Sequence, residues 1–360
     1  MGTAKGFATI MGAKKEAAFK TALAPTDKIP FLSEGIKWNY EDKIYEYLQG
    51  SAGIPGQDRI FEPSGGSLET EVIYTQKTDA TNFVSVGLLI AMAMGDGGTF
   101  AGGANQHLLT DSLSSFFTLA WNKQINAAKV WEAVSCFINT MTITGEANGS
   151  VKATFEIIAY DLLTDGSVTT IANLEALPTT TPSPVLFNQM IFQIATHGAE
   201  PGASDQYGLK GFTLTLNNNL TPPEQLTLDA TKTLDYAHTD AKQPIKPERN
   251  GHREVTLEIG LGRYSDDDFF DWWSGDTPLQ AYFLGTHPSS SEEFDICIPN
   301  MKIIDMSAPV SGPEALEQTV TFRLFTEAST SDIQFSDNST DVTSEFGIET
   351  DDERTAVIWS

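Results

Sequence analysis

The feature that most limits what this chain can fold into is a period of two. Short segments in which apolar and polar residues alternate recur along it, and most end in Gly, Pro, Asn or Asp. In Val151-Lys-Ala-Thr-Phe-Glu-Ile the odd positions are apolar and the even ones polar, and Glu254-Val-Thr-Leu-Glu-Ile alternates in the same way. Successive strand side chains point to opposite faces, so such a segment specifies a strand with one face on a core and one on water. Strands are predicted at Ser67 to Thr75, Phe116 to Trp121, Val134 to Thr144, Val151 to Tyr160 and Phe187 to Ala195. Further ones are predicted at Gly211 to Leu216, Glu254 to Leu261, Phe294 to Ile298 and Thr319 to Phe325. So many short strands with so few helices make an all-β fold.

Two short helices interrupt the pattern. Thr81 to Met94 follows a capping stretch at Asp79 and stops at Gly95. Ser265 to Trp273 opens on Ser and three aspartates and ends at Gly275, which suits a helix dipole and a C-cap. Glycines 65 and 66 read as a turn before a strand, and those at 95, 97 and 98 as a turn after a helix.

Length asks for about two or three domains at roughly 150 residues each, since the chain has 360 residues. A 40% hydrophobic content with 21 Phe supplies real cores, and a charged fraction of 19% is too low for a disordered polyelectrolyte. With 2 Cys there is neither a disulfide scaffold nor a four-thiolate zinc site, and Cys136 and Cys297 are expected as free, buried thiols. Twenty-two basic against 48 acidic residues leave a charge of −26, which argues against holding phosphate backbones for affinity. It leaves open a surface that DNA touches without sticking. The most apolar run, Phe83 to Met94, is well short of the ~20 residues that cross a bilayer, so a soluble protein from a reducing compartment, without targeting segment, is expected.

The two halves resemble each other. Glu34-Gly35-Ile36-Lys37-Trp38 matches Lys210-Gly211-Phe212-Thr213-Leu214, and each is followed by a long polar loop, 42–66 and 217–250. A strand, the helix and an aromatic strand come next in both; then Cys136-Phe-Ile-Asn139 matches Cys297-Ile-Pro-Asn300, and Ala153-Thr-Phe-Glu-Ile matches Val320-Thr-Phe-Arg-Leu. A competing register sets Thr154-Phe-Glu-Ile157 on Thr256-Leu-Glu-Ile259. The order implies a duplication, with domains at 1–176 and 185–327 and an extended, unpacked linker at 177–184. Residues 328–360 form an acidic tail or an arm that docks on a neighbouring subunit, with Phe346, Ile348, Val357, Ile358 and Trp359 as assembly contacts.

No catalytic constellation presents itself. The 5 His are far apart in sequence and sit in no metalloprotease pattern; no nucleophile elbow or phosphate-cradling glycine loop occurs. Asp266, Asp267, Asp268 and Asp271 lack the spacing of a calcium loop and are better read as capping a helix. No metal or cofactor is expected. Trp272 and Trp273 are a possible platform for sugars, though aromatic residues on a short helix more often plug the end of a β-sandwich. Glu69, Glu71, Glu156, Glu254 and Glu258 fall on the polar phase of their strands, either for plain solubility or as a like-charged wall along which duplex stays mobile.

The chain resembles the major tail tube proteins of long-tailed, siphovirus-like bacteriophages. The resemblance rests on Phe31-Leu-Ser-Glu-Gly-Ile-Lys, on Asn82 to Gly95 running into Gly97-Gly98, and on Cys297-Ile-Pro-Asn-Met through Thr326. It implies tandem β-sandwich domains flanked by helices, whose sheets join edge to edge into a continuous β-barrel tube. Two domains per chain imply trimeric rings with pseudo-sixfold symmetry, stacked around a tape measure protein and bounded by tail terminator and baseplate or tip proteins. Six domains of four strands, ~4.8 Å apart and tilted near 45°, give a bore of roughly 40 Å, wide enough for DNA in transit. The resemblance further implies a location in the virion tail, assembly in the host cytoplasm and no membrane partner. The alternative from another class is a non-tube β-sandwich binding module, a carbohydrate-recognising virion or surface protein.

Overall fold

A computed structural model describes residues 6–45, 53–54, 56–61, 64–74, 76–77, 83–95, 99–101, 104–111, 113–123, 129–164, 168–179, 181–221, 246–263, 267–290, 292–309, 317–327, 333–335 and 341–351. The chain is mostly strand. A first set comprises β1 (Met11–Lys15), β2 (Ser33–Glu34), β3 (Ser64–Glu71), α1 (Gly87–Met94), β4 (Ala104–Leu108), β5 (Phe117–Trp121), β6 (Trp131–Glu146) and β7 (Lys152–Ala159). After α2 (Ile171–Glu175) come β8 (Met190–Thr196), β9 (Leu209–Asn217), β10 (Glu254–Leu261), α3 (Asp268–Ser274), β11 (Leu279–Thr286), β12 (Glu293–Ser307) and β13 (Gln318–Leu324). The last described strand is β14 (Gly347–Asp351).

Both sets pair in one order. In the first, β1 lies beside β5, β5 beside β6, β6 beside β7, β7 beside β3 and β3 beside β2, all antiparallel. In the second, β8 lies beside β11, β11 beside β12, β12 beside β13, β13 beside β10 and β10 beside β9. The second half of β6 then takes β9 on its remaining edge, from Thr140 opposite Asn217 to Glu146 opposite Gly211. The result is an unbroken run of strands, β2-β3-β7-β6-β9-β10-β13-β12, which does not close on itself among the described residues.

Period-two patterning explains the run. β7 and β10 each alternate exposed or half-buried with buried positions throughout. Leu68, Phe155, Met141, Leu216 and Val255 stand in one row across five strands, each 2% exposed or less. Burial of each such side chain is worth about 1.5–3 kcal/mol. Glycine decides one contact. The Gly65-Gly66 pair lies inside β3, not in a turn before it; Gly66 has φ 154°, and a Cβ there would sit 2.2 Å from the Gly35 carbonyl oxygen. β2 can therefore approach β3 closely only over glycine.

The helices are shorter than the sequence suggests. α1 starts at Gly87, and the Asp79 cap lies outside the described residues; every residue of α1 is buried, and Gly95 closes it in the left-handed region (φ 80°). α3 runs from Asp268 to Ser274, with Gly275 as its C-cap. No helix among the described residues is long and apolar enough to cross a membrane. Strand β12 runs on to Ser307, well past the predicted Ile298, because Pro299 falls where the register against β11 shifts and no ladder hydrogen bond is lost.

Two connecting segments differ from expectation. The linker at 177–184 is anchored at both ends: Leu177 is 4% exposed in a small apolar cluster with Ala120, Val130 and Leu174, and Ser183–Pro184 pair with Ile73–Tyr74. A capping box between Thr170 and Asn173 fixes α2 just before it, which aims Leu177 inward. The loop predicted at 42–66 holds a strand pair, Tyr40–Ile44 against Gln57–Phe61. Residues 222–245, the middle of the second long loop, lie outside the described residues.

Candidate functional site: a threonine and glutamate face with two open edges

The side of the eight-stranded run that faces away from the core carries its residues in register. One row reads Glu69, Thr154, Thr142, Thr215, Thr256, Arg323, Lys302. The next reads Glu71, Lys152, Thr144, Thr213, Glu258, Thr321, Asp305, and a third Ser67, Glu156, Thr140, Asn217, Glu254. All five glutamates singled out in the sequence thus lie on one face, although they come from both halves of the chain. Threonine fills most of the space between them. Its β-branch suits a strand, and its hydroxyl stays uncharged.

In these rows six carboxylates face three cations. Lys152 is tied to Glu69 at 3.3 Å, and Lys302 to Asp276 at 2.7 Å. Glu69 also accepts from Ser33 Oγ (3.2 Å), and Glu71 accepts from Ser150 Oγ (2.6 Å). Both cationic pairs are solvent-exposed and hold little energy, and they occupy two of the three cations; the third, Arg323, lies between Thr256 and Lys302 in the first row. Among the described residues this face is acidic on balance and rich in threonine.

The run ends in two unpaired edges among the described residues. At one end, the outer side of β2 and its continuation to Lys37 meets no strand: Leu32, Gly35 and Lys37 donate their N–H groups inward to the carbonyls of Glu69, Ser67 and Gly65 (2.8, 2.8 and 3.0 Å). At the other, residues 302–307 of β12 pair with β13 on one side only. Sequence reasoning missed Glu34 at the first edge. Its carboxylate accepts from the Ile36 N–H at 3.2 Å and pairs with Lys123 at 2.8 Å, and Lys123 lies over the Trp131 ring, 4.0 Å from its centroid. A charged residue in the core-facing phase of a short strand is the signal that was available.

Two of the tail residues expected as assembly contacts lie in or beside the last described strand. β14 inserts between β4 and β12 of its own chain, with Ile348 opposite both His107 and Ile296. Phe346 and Ile348 are fully buried there. Two apolar side chains in a polar stretch found the nearest open strand edges, which belong to the same molecule. Val357, Ile358 and Trp359 lie outside the described residues.

Trp272 and Trp273 do not share one face. Trp272 packs inward against Phe269 (5.2 Å between ring centroids) and Tyr207, whereas Trp273 is exposed on the other side of the helix beside Phe270. Asp268 accepts from the Tyr207 hydroxyl at 3.0 Å, and Asp266 lies outside the described residues. No group of three or more metal-ligating side chains occurs among the described residues. Cys136 and Cys297 are free and buried, and burial pushes both thiols up. Among the buried carboxylates, Glu16 is held by the Ser135 N–H and the Thr118 hydroxyl, each at 2.7 Å; burial raises its carboxyl, against the pull of those hydrogen bonds.

These features define an all-β protein whose longest sheet carries an acidic outer face and is left open at both ends. A family model described as phage tail tube protein matches residues 6–324. The chain belongs to that family, and is a structural component of the virion tail. No curated protein matches it.

Proposed function

We propose that the chain is a tandem duplication that self-assembles into stacked trimeric rings, forming a tube with an acidic lumen through which the genome leaves. The single observation that carries this is the internal β6–β9 seam, where one set of strands joins the other edge to edge without a break. Repeating that join between chains gives each ring three copies of eight strands. At ~4.8 Å per strand and a tilt near 45°, the circumference is about 160 Å and the bore roughly 40 Å. Full closure would remove every exposed edge of the run, which otherwise invites uncontrolled pairing.

The equal strand order of the two sets supports the duplication, and the ladders refine its alignment. Met141, Phe155, Leu68 and Glu34 form one row as Ile303, Phe322, Leu257 and Leu214 form another. Glu34 therefore corresponds to Leu214, four residues from the sequence match with Lys210. The same rows favour Ala153–Ile157 with Val320–Leu324 over the competing register on Thr256–Ile259. On this reading the face with Glu69, Glu71, Glu156, Glu254 and Glu258 lines the channel. A tape measure protein fills it during assembly, terminator and tip proteins close its ends, and DNA passes without being held. Assembly takes place in the host cytoplasm, and the protein acts structurally, not as an enzyme.

Negative-stain microscopy of purified protein, or of particles carrying it, tests the reading. Tubes with threefold or pseudo-sixfold cross-sections and a bore near 40 Å are expected. Discrete particles under all conditions, with retention on glycan arrays, would favour the carbohydrate-binding module instead.

A further inference from the structure

The tube reading leaves open which edges meet and in what register, and what keeps them apart in a single subunit. We infer that residues 302–308 of one copy add to residues 32–37 of a second copy in the register of the β6–β9 seam, and that the Glu34 carboxylate caps this edge until they do. The inference rests on the tube reading and extends it.

The internal seam is the template. The second half of β12 occupies the place of β6: Ile303 faces Phe322 as Met141 faces Phe155, and Met306 faces Val320 as Ile143 faces Ala153. β2 and its continuation occupy the place of β9: Ser33 faces Glu69 as Thr213 faces Glu258, and Lys37 faces Gly65 as Asn217 faces Glu254. In the seam, Met141 meets Leu216, Ile143 meets Leu214, Thr144 meets Thr213 and Gly145 meets Phe212. Carried over, Ile303 meets Ile36, Met306 meets Glu34, Ser307 meets Ser33 and Ala308 meets Leu32.

Side-chain size supports this register. Phe212 lies over Gly145 so closely that a Cβ there would come within 2.5 Å of its ring. At the open edges the corresponding pair is Leu32, 49% exposed, and the small Ala308. A strand laid on this edge covers Leu32, so apolar burial adds to backbone pairing.

The backbone shows how the edge is kept closed. Because Gly35 and Lys37 spend their N–H groups on β3, antiparallel geometry turns the polar groups of Glu34 and Ile36 outward. The Ile36 N–H, which an incoming strand would need, is instead met by Glu34, whose other oxygen is held by Lys123. Inward-directed charge is one way edge strands are blunted. At the permanently joined seam the corresponding residue is Leu214, apolar and 1% exposed. The difference between Leu214 and Glu34 is the difference between a seam made on folding and one made on assembly.

Mixing two single variants tests the seam. Ser33→Cys and Ser307→Cys fall on a non-hydrogen-bonded pair, whose Cα atoms lie about 4.5 Å apart, within disulfide reach. Cys136 and Cys297 are buried and do not compete. Oxidised mixed tubes should yield disulfide-linked dimers, and a mixture of Ser33→Cys with Lys302→Cys should not. Tubes that form without the Ser33–Ser307 link would overturn the register and leave the tube reading standing; failure of the unmodified protein to form tubes at all would sink both. If the cysteine variants do not assemble, amide exchange on unmodified protein decides: segments 32–37 and 302–308 must both gain protection on assembly. For the cap, Glu34→Leu should lower the concentration at which tubes or aggregates appear at least several-fold, and an unchanged or higher threshold refutes its role.

Discussion

Replacing Ile348 by alanine asks whether the C-terminal strand belongs to its own subunit. Ile348 is fully buried, with His107 on one side and Ile296 on the other. Core Ile→Ala changes cost about 2–5 kcal/mol, and the cost is highest where the walls cannot collapse into the space left. Both walls here are anchored: β12 by its ladders to β11 and β13, and β4 by its pairing with the preceding strand, Thr99–Ala101. A loss of about 3–4 kcal/mol is therefore expected. Urea unfolding of parent and variant, below the assembly threshold and at two protein concentrations tenfold apart, measures it. Burial within one chain gives the same loss at both. Docking on a neighbour makes the loss depend on concentration, by up to ~1.4 kcal/mol per tenfold change. A loss below about 1 kcal/mol, or one that moves with concentration, refutes the intrachain reading.

Glu156→Lys with Glu258→Lys should leave assembly intact but slow genome ejection, measured as release of dye-stained DNA; unchanged ejection would mean that these positions do not line the channel. Gly145→Val puts a Cβ within 2.5 Å of the Phe212 ring and 2.7 Å of Phe187, so a loss of roughly 1–3 kcal/mol in thermal or urea unfolding is expected; a neutral result would show that the seam is looser than its geometry. Glu16, whose carboxyl is raised by burial, gives a pH signature with a definite sign. A raised folded value favours the neutral form, so its contribution is complete below the ordinary carboxylate range and is lost as pH rises through the folded value. Glu16→Gln stays neutral throughout, so melting curves should show the variant gaining on the parent from pH 4 to pH 8. A gap that does not change with pH would sink this account.

The strands were legible because their alternation is set by a pleat with one wet face. Glu254 to Leu261 was delimited to the residue, and the five glutamates fell on one face because polar phase alone fixes it. What escaped was decided by partners distant in sequence. Pro299 looked like the end of a strand, but opposite it β11 shifts register and tolerates the missing N–H. Leu177 and Phe346 looked like parts of a linker and a tail because no local pattern says that an apolar cluster and two open strands await them. On the proposed duplication, the four-residue shift in matching Glu34 has the same root. Short Gly-containing motifs align in several ways, and only shared neighbours across a ladder choose between them.

The acidity of the face and the need to assemble need not oppose each other, and the spacing shows why. Glu156 and Glu254 share a row but are separated by Thr140 and Asn217, three strand steps or about 14 Å. Two charges that far apart in water interact by ~0.3 kcal/mol, and a Debye length of about 8 Å at physiological salt reduces this to below ~0.1 kcal/mol. Extending the row around a ring therefore adds almost no repulsion, whereas each new seam adds backbone hydrogen bonds and apolar contact. A phosphate about 5 Å from a wall carboxylate meets ~0.4 kcal/mol of screened repulsion on the same arithmetic. That is less than thermal energy for one contact, but on the proposed reading it would be repeated by every carboxylate the duplex passes. Carboxylates spaced like Glu156 and Glu254 thus repel a polyanion at close range while scarcely repelling one another, which is what the proposed tube would need of copies that join side by side around DNA.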